Sequence, residues 1–255
     1  MPVSGGAGYL ALLAGLGAVF GFLGGLFGVG GGIVAIPVLG VFFDMSEQLA
    51  QGTALVMVVP NVLVGVWQYY RFGGMDPKLA ISLGAGAVPF TYVGARYATH
   101  LPSGPLRAVF VVFILAIAAY MGWRTFGPAR HWTRSRPWPW PYAAVAGMIG
   151  GALSGLFSIG GATFAVPAMT AGFGLTQAVA QGMALALVAP GTVVGIITYA
   201  SAGDVDWMVG LPLALGGVLG VSLGVPLAHR FPDRVLRGLF MGFLLFAAAG
   251  LALRI

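Results

Sequence analysis

The chain has 255 residues, of which 59% are hydrophobic and only 7% are charged, with a formal net charge of +6. A soluble domain carries about 25% charged residues, so this composition cannot cover a surface that faces water. It excludes a soluble protein and predicts an all-α polytopic membrane protein, because its apolar runs approach the roughly 20 residues that a helix needs to cross a bilayer.

The apolar segments fall in chain order into two groups of five. The first group is 9–27, 30–43, 49–70, 79–99 and 106–126. The second group is 142–157, 162–173, 178–200, 207–228 and 236–253. No basic region precedes the first run, so we expect no cleaved signal peptide. These segments predict 8–10 transmembrane segments in total.

An internal repeat relates the two groups, since residue n matches residue n+130 without a gap over most of each half. Scattered Leu, Ala and Gly matches would follow from apolar bias alone, but paired Pro, Gln, Asp and Arg in one register indicate common ancestry. The informative pairs are Pro37 with Pro167, Gln51 with Gln181, Pro60 with Pro190, Asp76 with Asp206 and Arg107 with Arg237. The sequence therefore predicts two homologous halves, 1–126 and 142–255.

Between the halves lies a basic, Trp- and Pro-rich linker at 127–141, "GPARHWTRSRPWPWP". Proline blocks helix formation, Trp favours headgroup depth, and Arg favours anionic lipid, so we expect a loop along one membrane face. An Arg- and Trp-rich segment in a polytopic protein is much better explained by lipid than by nucleic acid, and we expect no nucleic-acid partner.

The distribution of Lys and Arg distinguishes two arrangements of the halves. If each half crosses the membrane an even number of times, the halves are parallel and the twelve basic residues divide seven to five. If each half crosses an odd number of times, the second half is inverted and they divide nine to three, with the linker on the basic side. Positive-inside bias favours the inverted arrangement, with a cytoplasmic linker and external termini.

A glycine-rich phrase that ends in proline opens each half: "GLFGVGGGIVAIPVL" at 25–39 and "GLFSIGGATFAVPAM" at 155–169. As one helix, 9–43 would measure about 50 Å at 1.5 Å per residue, which exceeds a bilayer core of about 30 Å. The helix must therefore break, and Gly28 to Gly32 mark the place. Other glycine runs, such as Gly17, Gly21 and Gly25, predict close helix packing and allow a homodimer.

Each break predicts part of an anion site, because the helix that follows presents free N–H groups and a positive dipole end. Inverted halves would bring two such ends together near the midplane, as in transporters with discontinuous helices. The predicted substrate-binding residues are Gly30, Gly31, Gly32, Ile33, Gln51, Asn61, Gly160, Gly161, Ala162, Thr163 and Gln181. The predicted hinges are Gly28, Pro37, Pro60, Pro167 and Pro190.

For several of these residues a structural role competes with binding. Gln51 and Gln181 open the third segment of each half, where an amide serves an oxyanion or an interhelical hydrogen bond equally well. Asn61 matches Gly191 in the second half, so any role it has is asymmetric. Thr163 replaces Ile33 and adds a hydroxyl, although packing explains it equally well.

Catalytic and cofactor motifs are not found. "GVSLG" at 220–224 matches G-x-S-x-G, but no strand precedes it and its counterpart around Thr91 lacks serine, so we reject a hydrolase. No nucleotide motif occurs, and the absence of cysteine excludes thiolate metal sites. All six acidic residues lie at segment ends or in loops, so we expect no buried carboxylate, no cofactor and no enzyme.

The doubled phrase, "AQGTAL" at 50–55 and "VGARYA" at 93–98 resemble the sulfite exporter TauE/SafE family, within the 4-toluene sulfonate uptake permease group. The resemblance implies a multi-pass protein of a prokaryotic plasma membrane that moves sulfite or organosulfonates such as sulfoacetate. Ala162 departs from the pattern, since it replaces the third glycine. An anion transporter is the favoured interpretation, with an anion channel, or a transporter of another small organic anion, as the alternative.

Overall fold

The computed structural model of the protein describes residues 6–98, 100–126, 139–157 and 160–252. Within these ranges every regular element is an α-helix. Most of the predicted linker, from 127 to 138, lies outside the described residues. The helices are α1 (Ala7–Phe27), α2 (Gly32–Phe42), α3 (Glu47–Phe72), α4 (Pro77–Ala98), α5 (Ser103–Phe126), α6 (Pro141–Phe157), α7 (Gly160–Gly172), α8 (Gln177–Ser201), α9 (Trp207–Ala228) and α10 (Asp233–Ala252).

The ten helices follow the predicted segments, and their bounds recur at the spacing of the sequence repeat. α4 spans Pro77–Ala98 and α9 spans Trp207–Ala228, which is an offset of 130 at both ends. The N-cap of α3 is Ser46 and that of α8 is Thr176, again 130 apart, and each side chain accepts a hydrogen bond from its own first turn. Helices α1 to α5 therefore pair with α6 to α10 at the spacing of the sequence match, and their origin by internal duplication stays a prediction.

Length and composition make the chain a polytopic membrane protein. Among the described residues, four helices are long and apolar enough to cross a bilayer, namely α1, α3, α8 and α9. By contrast, α2 has 11 residues and α7 has 13. At 1.5 Å per residue these two helices measure about 16 to 20 Å, which is well short of a hydrocarbon core of about 30 Å. Each half thus contains one helix that reaches only part of the way across.

The break after α1 turns the chain back instead of kinking it. A Cβ atom on Gly31 would overlap the carbonyl oxygen of Phe20, and one on Gly24 would overlap the backbone nitrogen of Gly31. Gly31, the residue that caps α2, therefore lies beside the last turns of α1 rather than beyond its end. In the second half, Gly161 lies in the same way against the carbonyl oxygen of Gly150.

Helix directions follow from which residues touch. α1 runs parallel to α9, because residue numbers rise together along the contact; the contacts are Gly17 with Leu213, Gly21 with Gly217 and Gly25 with Val221. α3 also runs parallel to α9; the contacts are Val56 with Gly210, Asn61 with Gly217 and Gly65 with Val221. α1 and α3 therefore point the same way, and α2 returns between them.

The counterparts α3 and α8 run in opposite directions. Gly65 packs against Leu185, whereas Gly195 packs against Leu55, so residue numbers rise along one helix as they fall along the other. This is the geometry expected of an inverted repeat.

The two halves interleave, because each supplies helices that pack against the other. α1 packs on α9, and its counterpart α6 packs on α4; Gly147 meets Leu83 and Gly151 meets Ala87 along that second contact. At these contacts a Cβ would overlap facing backbone, so only glycine permits the approach. The glycines named here pack against other helices of the same chain, and a homodimer stays a prediction.

Aromatic rings repeat the interleaving at the ends of α1 and α6. Phe27 of α1 contacts Phe243 of α10 with ring centroids 4.6 Å apart. Phe157 of α6 contacts Phe110 of α5 at 4.7 Å. Both short helices thus follow a helix whose C-terminal end is anchored against the last helix of the opposite half.

Candidate functional site

The N-terminus of α2 is a buried helix end that has no side-chain cap. Gly28 has φ 68° and Gly31 has φ 91°, which are left-handed values that favour glycine. Gly31 is the N-cap residue, and no side chain accepts a hydrogen bond there. Gly31, Gly32 and Ile33 are all buried. Because the first N–H groups of a helix have no intrahelical acceptor, this end presents buried donors and a positive dipole.

Asn61 touches the break from the middle of α3. Its Nδ2 atom donates to the carbonyl oxygen of Gly30 at 3.3 Å, and its side chain is completely buried. The Oδ1 atom has no partner. One N–H of the amide therefore holds the backbone of the break, and the amide oxygen is left without a donor. That oxygen would repel an anion placed against it.

Gln181 reaches the same break from the second half. A Cβ atom on Gly28 would lie 2.5 Å from the Cβ of Gln181, so the left-handed turn packs directly on this residue. The Tyr69 hydroxyl lies 3.2 Å from Oε1 of Gln181 and 2.9 Å from the carbonyl oxygen of Gly25. A phenol has one hydrogen, so it donates to one of these acceptors at a time. The Nε2 atom of Gln181 is buried and has no partner.

Gln51 lies at the opposite end of α3 and is held differently. Its Nε2 donates to Oε1 of Glu47 at 3.2 Å, and its Oε1 accepts from the Tyr199 hydroxyl at 2.6 Å. Tyr199 also lies 3.4 Å from the carbonyl oxygen of Gly155. Both polar atoms of Gln51 are thus engaged within the protein, so the two predicted glutamines are in unequal environments.

Glu47 corrects the sequence-based expectation that no carboxylate is buried. It begins α3, as a segment end should, but its side chain is completely buried. The reason is that α3 starts against neighbouring helices instead of in water, and Gln51 donates a hydrogen bond to the carboxylate. The counterpart of Glu47 is Gln177, which is buried to the same degree.

The second break is described from Gly160 onward, while residues 158 and 159 lie outside the described residues. Gly161 packs against Gly150 and Ser154, and both Ala162 and Thr163 are completely buried. Gly31 contacts Phe20, which is the residue 130 positions before Gly150, so the two breaks pack alike. Each glycine packs on a helix of its own half, and the expected meeting of the two helix ends remains a prediction.

The structure brings together Gly28, Gly30, Gly31, Asn61 and Gln181, and it places Gln51 about 27 Å from Tyr69 along α3, by the rise of 1.5 Å per residue. The predicted hinges Pro37, Pro60, Pro167 and Pro190 all lie inside helices. Their role as hinges stays a prediction.

Sequence reasoning missed Tyr69 and Tyr199, which contact the glutamines of the opposite half. Both are completely buried, or nearly so, despite a polar hydroxyl. The signal that identifies them is the repeat itself, because the two tyrosines are 130 residues apart and so occupy one register.

Two apolar grooves, with volumes of about 420 and 480 Å³, lie away from these polar groups. One runs between α2 and α10 along Pro37 and Phe246. The other is lined by α5, α6 and α7, including Pro167 and Tyr120. Their apolar lining suits lipid chains better than a charged ligand. Among the described residues, no group of three or more His, Asp or Glu side chains is placed to hold a metal ion.

The helical fold and its apolar spans define a polytopic α-helical membrane protein. The family model described as "Sulfite exporter TauE/SafE" matches residues 13–251. The chain belongs to the sulfite exporter TauE/SafE family.

Relatives from bacteria and archaea have names that agree with this family. "Probable membrane transporter protein YunE" of Bacillus subtilis (strain 168) is 27% identical over 247 residues, covering 89% of each chain. "Probable membrane transporter protein MJ0441" of Methanocaldococcus jannaschii is 27% identical over 246 residues, covering 89% of this chain and 90% of that protein. No solved structure matches the chain. Family and relatives make membrane transport the general function.

Proposed function

We propose that this protein exports small sulfur-containing oxyanions, sulfite or organosulfonates such as sulfoacetate, across the plasma membrane of a prokaryote. The observation that carries the proposal is the buried, uncapped N-terminus of α2 at Gly31 to Ile33. A helix N-terminus binds oxyanions through backbone N–H groups and the helix dipole. Non-helical backbone at membrane depth is tolerated where it is buried in protein or lines a watery cavity.

The arrangement of the halves supports transport over a static binding role. Counterpart helices α3 and α8 run antiparallel, and α2 returns partway beside α1. Inverted halves with discontinuous helices allow one half to rock against the other, which exposes a central site to each side in turn. In this account residues 1–126 and 142–255 are the moving repeats, and 127–141 joins them on the cytoplasmic face.

Export of an anion is favoured by the membrane potential. When an anion leaves a cell with a negative interior, the membrane potential contributes about 2.3 kcal/mol of favourable free energy per unit charge per 100 mV. Export therefore proceeds against a concentration gradient without a coupled ion. The sulfur chemistry follows the description of the family, and the helix end supplies the preference for an oxyanion.

Counterflow in proteoliposomes tests this function. Vesicles that contain the purified protein and a high internal concentration of unlabelled sulfite are diluted into a trace of radiolabelled sulfite. A transporter accumulates the label transiently and saturably, and internal sulfoacetate substitutes for sulfite if both are substrates. Empty vesicles give the background. Entry of the label that is equal in vesicles with and without internal anion would contradict carrier transport, as would the absence of protein-dependent entry.

A further inference from the structure

Gln177 is a buried amide for which the fold supplies no partner. It is the first residue of α8, its side chain is completely buried, and neither Oε1 nor Nε2 has a hydrogen-bond partner. An unsatisfied buried polar group costs about 1–3 kcal/mol, so such groups are rare in native proteins and each one requires an explanation. Its backbone N–H is satisfied separately, by Oδ1 of Asp233 at 3.2 Å.

Gln177 lies one helical turn before Gln181, and residues four apart on a helix share a face. Gln181 also has a buried Nε2 atom without a partner. Two amides on one face of α8, beside the glycine turn at Gly28, thus leave two N–H₂ groups unused. Side-chain amides of this kind donate to oxyanions without adding a charge of their own.

The corresponding position in the first half carries the opposite chemistry. Glu47 takes the place of Gln177, and the Nε2 of Gln51 donates to its carboxylate. A buried carboxylate at that position repels an anion and accepts one of the two N–H donors of the Gln51 amide. The start of α8 thus carries two buried amide nitrogens without a partner, whereas the nitrogen of Gln51 at the start of α3 has one in Glu47.

The charges around Gln177 are compatible with an anion. The carboxylate of Asp233 accepts a hydrogen bond from the backbone N–H of Gln177 at 3.2 Å and pairs with Nη2 of Arg237 at 3.4 Å. The Nε atom of Arg237 is buried and has no partner. Through Asp233, a cation with an unpartnered donor is thus linked to the first residue of α8.

We propose that the side-chain amides of Gln177 and Gln181 donate hydrogen bonds to the oxygen atoms of the anion. The carboxylate of Glu47 prevents an equivalent anion site from forming at the start of α3. The proposal rests on the proposed function, since it names residues that bind that substrate class. It adds Gln177 as a binding residue and makes the site asymmetric between two otherwise similar halves.

The test is the dissociation constant for sulfite, and separately for sulfoacetate, measured by calorimetric titration of the full chain in detergent. Gln177→Glu introduces the residue that the first half carries, and it should weaken binding by at least tenfold. Gln177→Met keeps the side-chain length but removes the amide, and it should weaken binding by about tenfold to a hundredfold. The matched change Glu47→Gln should leave the affinity at or above that of the wild type.

Stability distinguishes a binding role from a structural one. Because neither atom of the amide has a partner in the protein, Gln177→Met should not lower the unfolding temperature of the anion-free protein. Weak binding with unchanged stability supports the proposal. Wild-type affinity in Gln177→Met, equal losses in Gln177→Glu and Glu47→Gln, or a destabilised Gln177→Met protein would each overturn it. A folded wild type that binds neither anion would instead reject the proposed function.

Discussion

The hydroxyl of Tyr69 lies 3.2 Å from the amide oxygen of Gln181, although the two residues are 112 positions apart in the chain. The mirror contact joins Tyr199 to Gln51 at 2.6 Å. Each tyrosine also reaches the carbonyl oxygen near the end of the helix that precedes a glycine break, Gly25 in one half and Gly155 in the other. Two tyrosine hydrogen bonds in equivalent positions thus link the halves, one at each end of the contact between α3 and α8.

Removal of the Tyr69 hydroxyl should weaken the link between α3 and α8. Tyr69→Phe leaves the amide oxygen of Gln181 buried without its donor, so we expect a loss of about 1–3 kcal/mol in unfolding free energy. We also expect reduced sulfite counterflow, because the amide then loses its fixed orientation beside the break. Thermal unfolding and counterflow of the same preparation measure both effects. Tyr70→Phe is the matched control, since Tyr70 is the next residue and is 59% exposed; equal effects of the two changes would contradict the account.

The left-handed turn before α2 should not tolerate a side chain. Gly31→Ala places a Cβ at φ 91° and against the carbonyl oxygen of Phe20. The backbone conformation alone costs about 1–3 kcal/mol, and the overlap adds to it. We therefore expect a lower unfolding temperature and loss of stabilisation by sulfite.

Gly15→Ala is the control for this change. Gly15 lies in α1 with open space around it, so alanine there should stabilise the helix by up to about 1 kcal/mol. An unfolding temperature for Gly31→Ala at or above that of the wild type would show that the turn is not constrained as described.

The inverted arrangement predicts opposite accessibility of counterpart positions. Lys78 is the second residue of α4 and Met208 is the second residue of α9; they are 130 residues apart, and both are exposed. The chain has no cysteine, so each single cysteine variant reports one position only. With the basic face inside, an impermeant maleimide applied to intact cells should label Met208→Cys, and it should label Lys78→Cys only after permeabilisation. Labelling of both from outside would reject inversion, and labelling of Lys78→Cys alone would reverse the orientation.

Stability should depend on pH through Asp204 in the loop between α8 and α9. Burial raises the pKa of this carboxyl above its ordinary value of 3.8. The folded protein then holds the proton more tightly than the unfolded chain, so the stabilising contribution is full below the unfolded pKa and is lost as the pH rises through the folded pKa.

Asp204→Asn removes that dependence, because asparagine does not ionise. The variant should unfold at a higher temperature than the wild type at pH 7, and the difference should shrink as the pH falls toward 3.8. Unfolding scans from pH 4 to pH 8 give the comparison. A difference that is constant over this range, or one that grows on acidification, would contradict the stated cause.

Much of the fold was predictable because its signals are local or repeat along the chain. Apolar length located the helices, and the glycine run at Gly28 to Gly32 located the break, since left-handed backbone requires glycine. The burial of Glu47 was not predictable in this way. A residue at the start of a helix looks solvated in sequence, and only the packing of α3 against other helices excludes water from it.

The different hydrogen bonding of Gln51 and Gln181 was also not predictable from the sequence, because it depends on the residue one helical turn earlier. The pair Glu47 and Gln177 was visible in the repeat as a mismatch. Its consequence becomes visible only in the structure, where the amide nitrogen of Gln51 donates to Glu47 and that of Gln181 has no partner. Similarity between the halves predicts the shared scaffold, and the departures from similarity mark where their chemistry differs.

The position of a bound anion tests the central claim most directly. Selenite is a heavier analogue of sulfite, and after competition with sulfite is established, crystals grown with it locate the selenium by anomalous scattering. The account predicts one peak within hydrogen-bonding reach of the first N–H groups of α2 and the amide of Gln181. A crystal saturated with selenite that shows its selenium peak elsewhere, or equal peaks beside Gln51 and Gln181, would contradict the proposed site.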